Sequence, residues 1–171
     1  MSTPTLRSID RRLSNDVDRL QAVLEGAPEY SLVVEGRLPP SNAAIELLDA
    51  LPSGKDHSDK YVYAVVHEAE AVGCLEMVRG YPDTDIAFIG LLLFREGYQG
   101  RGFGPRVLRL AEAIGTGWRC RALRIAALGT NPRAFAFWER EGFIELLRKP
   151  AMDFAGHAVV MERALPDARK I

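Results

Sequence analysis

A chain of 171 residues with 47% hydrophobic and 26% charged content carries enough apolar material for one compact core, which excludes a disordered chain. Its 22 Lys plus Arg against 23 Asp plus Glu leave a net charge of -1, so no overall field draws it to nucleic acid or to an anionic membrane surface. Two cysteines outside any Cys-x-x-Cys spacing, no Cys/His cluster at metal-site spacing, a polar N-terminus and no apolar run of roughly 18 residues predict a cytoplasmic protein without metal or membrane span.

In chain order, Val17, Leu20, Val23 and Leu24 recur at helical spacing between Asn15 and Glu25, and Gly26 with Pro28 stop that first helix. Ser41 stands where it would cap a second helix with Ala44, Ile45, Leu48 and Leu51 inward, closed by Pro52 and Gly54. Tyr61 to Val66 and Val72 to Val78 are rich in β-branched residues around a short polar gap, the pattern of an antiparallel hairpin. Ile86 to Phe94 is apolar almost throughout, as suits a central strand covered on both faces. Gly100, Gly102 and Gly104 then turn the chain into a helix ending near Trp118. There Val107, Leu110, Ala111, Ile114 and Trp118 form the packed stripe, with Arg106, Arg109 and Glu112 on the other side. Leu123, Ile125 and Ala127 mark another strand, and a short helix runs from Asn131 through Arg140 to a stop at Gly142. Phe143 to Leu147 and His157 to Met161 read as a closing strand pair around a turn at 149–156. No repeat, linker or low-complexity tract divides the chain, so residues 1–171 read as one domain.

The glycine turn raises the question of a ligand. A buried strand bending into a helix presents unpaired backbone N–H groups at the positive end of the helix dipole, a ready site for phosphate. No Asp, Ser or Thr caps this helix, and Arg95, Arg101 and Arg106 add positive charge. Glycines at such a turn also serve merely to permit the bend. A nucleoside-triphosphate loop is excluded because Pro105 and Arg106 follow Gly104 where Lys and Ser/Thr are required. A dinucleotide fingerprint fails because Arg121 and Arg124 stand about 20 residues on, where an acid belongs.

The spacing of Gln99, Gly102 and Gly104 resembles the Gln/Arg-x-x-Gly-x-Gly/Ala signature of the GNAT family of acetyl-CoA-dependent N-acetyltransferases. Downstream, Asn131, Ala134, Gly142 and Phe143 resemble that family's Asn-x-x-Ala-x-x-x-Tyr-x-x-x-Gly-Phe segment. The resemblance implies an α/β fold with a mixed, mostly antiparallel sheet that opens in a V after the central strand. It further implies that the amides of Gln99, Gly100, Arg101, Gly102, Phe103 and Gly104 cradle the diphosphate of CoA. Backbone groups near Leu92 and Phe94 would pair with the pantetheine arm, with the Leu92 amide as oxyanion donor. Asn131 would contact that arm, walled by Ala134, Phe137 and Trp138. Simple core packing competes for the aromatics Phe135, Phe137 and Trp138.

Two positions depart from the family pattern. Trp138 occupies the place of a tyrosine that serves as proton donor in many members, and an indole N–H is not an acid near neutral pH. Counting back from the turn to the glutamate that some members carry lands on Phe88, which leaves Glu76 and Asp85 as the nearest candidate bases. Cys74 and Cys120 lack any signature of a nucleophile. The acceptor, a small-molecule or peptide amine, is unassigned, and Asp56, Asp59, Asp83 and Asp85 form an acidic patch that would draw a cation. The resemblance leaves room for a homodimer. The rival expectation is an acyl-CoA-binding or sensing module that has kept the groove and lost the transfer chemistry.

Overall fold

In the computed structural model, which describes residues 2–150 and 157–167, the strands are β1 (Thr5–Ser8), β2 (Lys60–His67), β3 (Glu70–Arg79), β4 (Ile86–Phe94), β5 (Ala122–Leu128), β6 (Ile144–Pro150) and β7 (His157–Ala164). They form one sheet in the order β1-β2-β3-β4-β5-β7-β6. Every neighbouring pair is antiparallel except β4 with β5. The helices are α1 (Ser14–Glu25), α2 (Pro28–Glu35), α3 (Ala43–Asp49), α4 (Phe103–Gly117) and α5 (Pro132–Arg140). No helix among the described residues is long and apolar enough to cross a membrane.

Each face of the sheet has its own core. Leu75, Met77, Ile89, Val107, Leu108, Leu123, Ile125 and Met161 are buried in the core that α4 and α5 cover. Leu20, Val23, Ala44, Leu48, Cys74, Leu91 and Leu93 fill the opposite core with α1 and α3. The unbroken apolar run of β4 has a specific cause beyond two-sided burial. Glu76 faces Leu91 while Met77 faces Ile89, so Gly90 is an extra residue in β4. A bulge of one residue reverses the alternation of side chains. Ala87 and Ile89 therefore face the α4 core, whereas Leu91 and Leu93 face the α1 core.

The chain departs from the sequence expectation in several places. Pro28, read as a stop, occupies the first turn of α2, where its missing N–H leaves nothing unsatisfied. β1 is too short to show an alternation, and its edge position leaves most of it exposed. Ser41 does not cap α3: Asn42 takes the N-cap position without a side-chain bond, and Gln21 Oε1 on α1 accepts from the Ala44 amide at 2.8 Å instead. Ile45, expected inward, is 50% exposed. In α4 the fully buried residues are Val107, Leu108 and Ala111, and Leu110 is half-buried. Lys149 and Pro150 of the expected turn extend β6, and residues 151–156 lie outside the described residues.

Candidate active site

β4 and β5 pair only at one end, where Ile86, Ala87 and Phe88 meet Ala122, Leu123 and Arg124. That closed end is braced by Glu162 on β7, which accepts from Arg124 Nε at 2.9 Å and from Arg121 Nη1 at 3.0 Å. Beyond it, β4 from Ile89 onward has no strand partner on the β5 side among the described residues. The Arg95 amide donates to the Val72 carbonyl at 2.9 Å. Because successive residues of a strand direct their backbone groups to opposite sides, those of Leu93 face β3 and those of Leu92 and Phe94 face the gap. Phe94 is partly used: its carbonyl accepts from Gln99 Nε2 at 2.9 Å. The Leu92 amide opens onto a cavity of about 740 Å³ that runs from β4 to β5, α2, α3 and α5.

At the end of β4, a one-turn 3-10 helix (Glu96–Tyr98) leads into the glycine turn. Gly100 and Gly102 have φ of +72° and +80°, and a β-carbon on either would meet nothing within 4 Å. Their glycine identity therefore serves the left-handed backbone, and the space in front of them is free. Gly102 is the N-cap of α4 and no side chain among the described residues caps the helix, so its first amides keep their donor capacity. Gly104 has a different cause. A β-carbon there would stand 2.9 Å from the Phe137 ring, so this glycine lets α4 approach α5. The Gln99 amide, at 3.3 Å from the Glu96 carbonyl, belongs to the turn itself. The donors without a partner among the described residues are those that follow, from Gly100 to Gly104.

Asn131 is the N-cap of α5, its Oδ1 accepting from the Ala134 amide at 3.3 Å. Asn131, Ala134 and Trp138 line the cavity. Trp138 is only 8% exposed and lies edge-on to Phe137 and Phe143, each centroid 4.9 Å away. Phe137 packs on Gly104 and against Trp138, between the turn and the cavity wall.

The two candidate bases separate. Asp85 is half exposed and bound to Arg121 Nε at 2.8 Å, outside the cavity. Glu76 lines the cavity and is largely buried, with Lys60 Nζ 3.3 Å from Oε1. Lys60 is 3% exposed and also donates to the Leu47 and Ala50 carbonyls at the end of α3. Burial raises the pKa of Glu76 above the ordinary carboxylate value, with the Lys60 charge and hydrogen bond pulling it back. Phe88 sits at the closed end, edge-on to Tyr81. The acids of the expected patch are engaged by neighbours: Asp59 pairs with Lys55 and Arg79, Asp83 with Arg124, and Asp56 accepts from the Ser58 amide. The carboxylates on the cavity are Glu35, Glu46 and Glu76. Cys74 and Cys120 are free and buried, neither lines the cavity, and burial pushes both thiols up. His67 is half-buried, edge-on to Phe103.

Sequence reasoning passed over Tyr30, Lys60 and Gly90. Tyr30 lies on α2, a helix hidden by its leading proline, and burial raises its phenol so that it stays protonated. Lys60 opens a strand, where a lysine ordinarily points to solvent. The signal for Gly90 was present, since an isolated glycine inside a strand marks a bulge or a close approach.

The sequence profile of the acetyltransferase (GNAT) family matches residues 28–143. The fold is similar to that of an acetyltransferase from Thermus thermophilus, at 28% identity and a TM-score of 0.79 over 96% of this chain and 98% of that one. It is also similar to spermidine N-acetyltransferase from Vibrio cholerae in complex with CoA and spermine, at 16% identity and a TM-score of 0.73 over 98% of both chains. A third likeness is to aminoglycoside 6'-N-acetyltransferase complexed with coenzyme A, at 13% identity and a TM-score of 0.68 over 94% of this chain and 96% of that one. No curated protein matches the sequence.

Proposed function

The chain belongs to the acetyltransferase (GNAT) family, and from that premise we propose that it transfers the acetyl group of acetyl-CoA to a primary amine by direct attack in the cleft between β4 and β5. The observation that supports this reading is Leu92, which has no strand partner on the β5 side among the described residues and lines the same cavity as the buried carboxylate of Glu76. The cofactor supplies an activated acyl group on a thiol that leaves readily. What this chain supplies is placement. The open amides from Gly100 to Phe103 fit a diphosphate, and Arg101 adds charge beside them. Leu92 and the Phe94 N–H offer the edge of a strand to an extended amide-bearing arm. Asn131, Ala134 and Trp138 wall that arm on the β5 side, with Phe137 behind them.

The acceptor side lies between β4, α2 and α3. An alkylamine arrives protonated and must lose a proton before it attacks. Glu76 is the base that the geometry favours. It faces the cavity, burial raises its pKa, and the charge and hydrogen bond of Lys60 oppose that rise. The Leu92 N–H then stands where negative charge develops on the acyl oxygen. Neither cysteine lines the cavity, so a thioester-linked acyl-enzyme on Cys74 or Cys120 is not available there, which supports direct attack. Neither Asp85 nor Trp138 is assigned a proton-transfer role in this reading: the first is engaged by Arg121, and the second is a packed indole.

The test is a panel of primary amines, including small-molecule amines and peptide N-termini, incubated with acetyl-CoA while free thiol is followed. Turnover on at least one amine, lowered by about 10²–10⁴ in Glu76→Gln, is the expected result. Trp138 motivates a second reading, an acyl-CoA-binding module without transfer. Tight CoA binding with no thiol release across the panel would select it.

A further inference from the structure

α2 forms the acceptor-side wall, and Tyr30 is the residue through which it packs on the apolar core. No residue of that helix is fully buried, yet Tyr30, Ser31, Val34 and Glu35 line the cavity. Polar ties hold its two ends. Beyond its C-terminus, Arg37 joins Glu35 at 3.3 Å to Glu46 of α3 at 3.1 Å. At its N-terminus, Glu96 Oε1 accepts from the Glu29 amide at 3.0 Å, and the Glu96 amide donates to the Gly26 carbonyl at 2.9 Å. The first amides of a helix have no intrahelical partner and sit at the positive end of its dipole. A carboxylate there is both an acceptor and a favourable charge.

Glu96 belongs to the other half of the site. It opens the 3-10 turn that connects β4 to the glycine turn, and this connection is cross-braced. The Tyr98 amide donates to the Arg95 carbonyl at 2.8 Å, and Gln99 Nε2 reaches back to Phe94. The Tyr98 ring lies 5.1 Å from the Arg101 guanidinium and 6.3 Å from the Phe103 ring, the two residues on either side of Gly102. The elbow between α1 and α2 rests directly on the same segment: a β-carbon on Gly26 would stand 2.8 Å from Arg95 Cγ. One run of contacts thus joins the glycine turn to Glu96, and Glu96 to the first turn of α2.

We propose that Glu96 is a positioning residue through which occupancy of the glycine turn sets the placement of α2. Engagement of a diphosphate by the amides of Gly100 to Phe103 fixes the 3-10 turn, strengthens the bond to Glu29 and orders the wall that receives the acceptor. The inference rests on the proposed function, because it requires the coenzyme's diphosphate at that turn. Linkage makes the effect reciprocal: an acceptor that orders α2 tightens CoA binding by the same factor.

Amide hydrogen exchange on the full chain, with CoA as the probe, tests this without knowledge of the acceptor. CoA is expected to slow exchange both at residues 100–107 and at residues 29–36. In Glu96→Ala, exchange at 29–36 in the free protein should be about fivefold faster, the loss of one helix cap. CoA should still slow 100–107 in that variant and no longer slow 29–36. Glu96→Gln keeps an acceptor oxygen and should restore the coupled protection, which loss of general stability would not produce. Slowing at 100–107 alone in the wild type, or protection of 29–36 that persists in Glu96→Ala, overturns the inference. Absence of slowing at 100–107 overturns the proposed function instead.

Discussion

Gly90 and Glu76 share one space: a β-carbon on Gly90 would stand 2.9 Å from both the carboxyl carbon and Oε1 of Glu76. The bulge in β4 is therefore also the seat of the carboxylate that faces the cavity. Gly90→Ala should push Glu76 aside. The fold should persist with a loss of about 1–3 kcal/mol, the usual range for overpacking. Turnover should fall by about tenfold or more, since a shift of an ångström in a proton acceptor has consequences of that order, while CoA affinity, read by calorimetry, stays within about threefold. Equal loss of CoA binding would place Gly90 in the cofactor groove and detach it from the base.

Glu76 makes a prediction about pH with a definite sign. Only the carboxylate accepts a proton, so the rate should rise with pH as Glu76 ionises. Because burial raises its pKa, that rise should lie above the range of an exposed glutamate. Lys60 is the influence that lowers it. Lys60→Met should therefore move the rising limb of the kcat/KM profile to higher pH. Glu76→Gln should remove the limb and lower kcat by about 10²–10⁴. A profile that is the same in wild type and Lys60→Met would separate the limb from Glu76.

At the glycine turn, strain and ligand loss must be distinguished. Gly102 has φ +80°, so any side chain there is strained whether or not a ligand binds. Gly54, in a remote loop, also has φ +80° and open space around it. Gly102→Ala and Gly54→Ala should each lower stability by about 1–2 kcal/mol, and only the former should weaken CoA binding, by about tenfold. Equal CoA affinity in the two variants would move the diphosphate away from this turn.

Much of the architecture was legible because its signals are local. The helical periodicity of α1, the paired β-branched runs of β2 and β3, and the unbroken apolar run of β4 can each be read from a short stretch of neighbouring residues. Elements set by distant contacts were not. α2 is short, buries no residue fully and begins at a proline, and β1 exists only by pairing with β2. The site divides in the same way. The glycine turn and Asn131 stand in fixed spacing along the chain, whereas the Lys60–Glu76 pair arises from register between two strands. Gly104 shows the limit of motif reasoning most plainly, since the contact that requires its glycine is with Phe137 of α5.

Trp138 offers the last test, because its packing and its chemistry pull in opposite directions. The indole is held between Phe137 and Phe143 and is nearly sequestered. Replacing it with tyrosine removes ring volume from a packed core, which should cost about 1–3 kcal/mol. The same change places a phenol on the cavity wall, where it can hand a proton to the departing thiolate. Tyr30 also lines the cavity, and burial raises its phenol, which makes it a poorer acid for that step. Trp138→Tyr should therefore lower the melting temperature by several degrees while raising kcat by about three- to tenfold, a gain within the range of general acid catalysis. A fall in both quantities would mean that the thiolate leaves without an acid and that the indole serves the core alone.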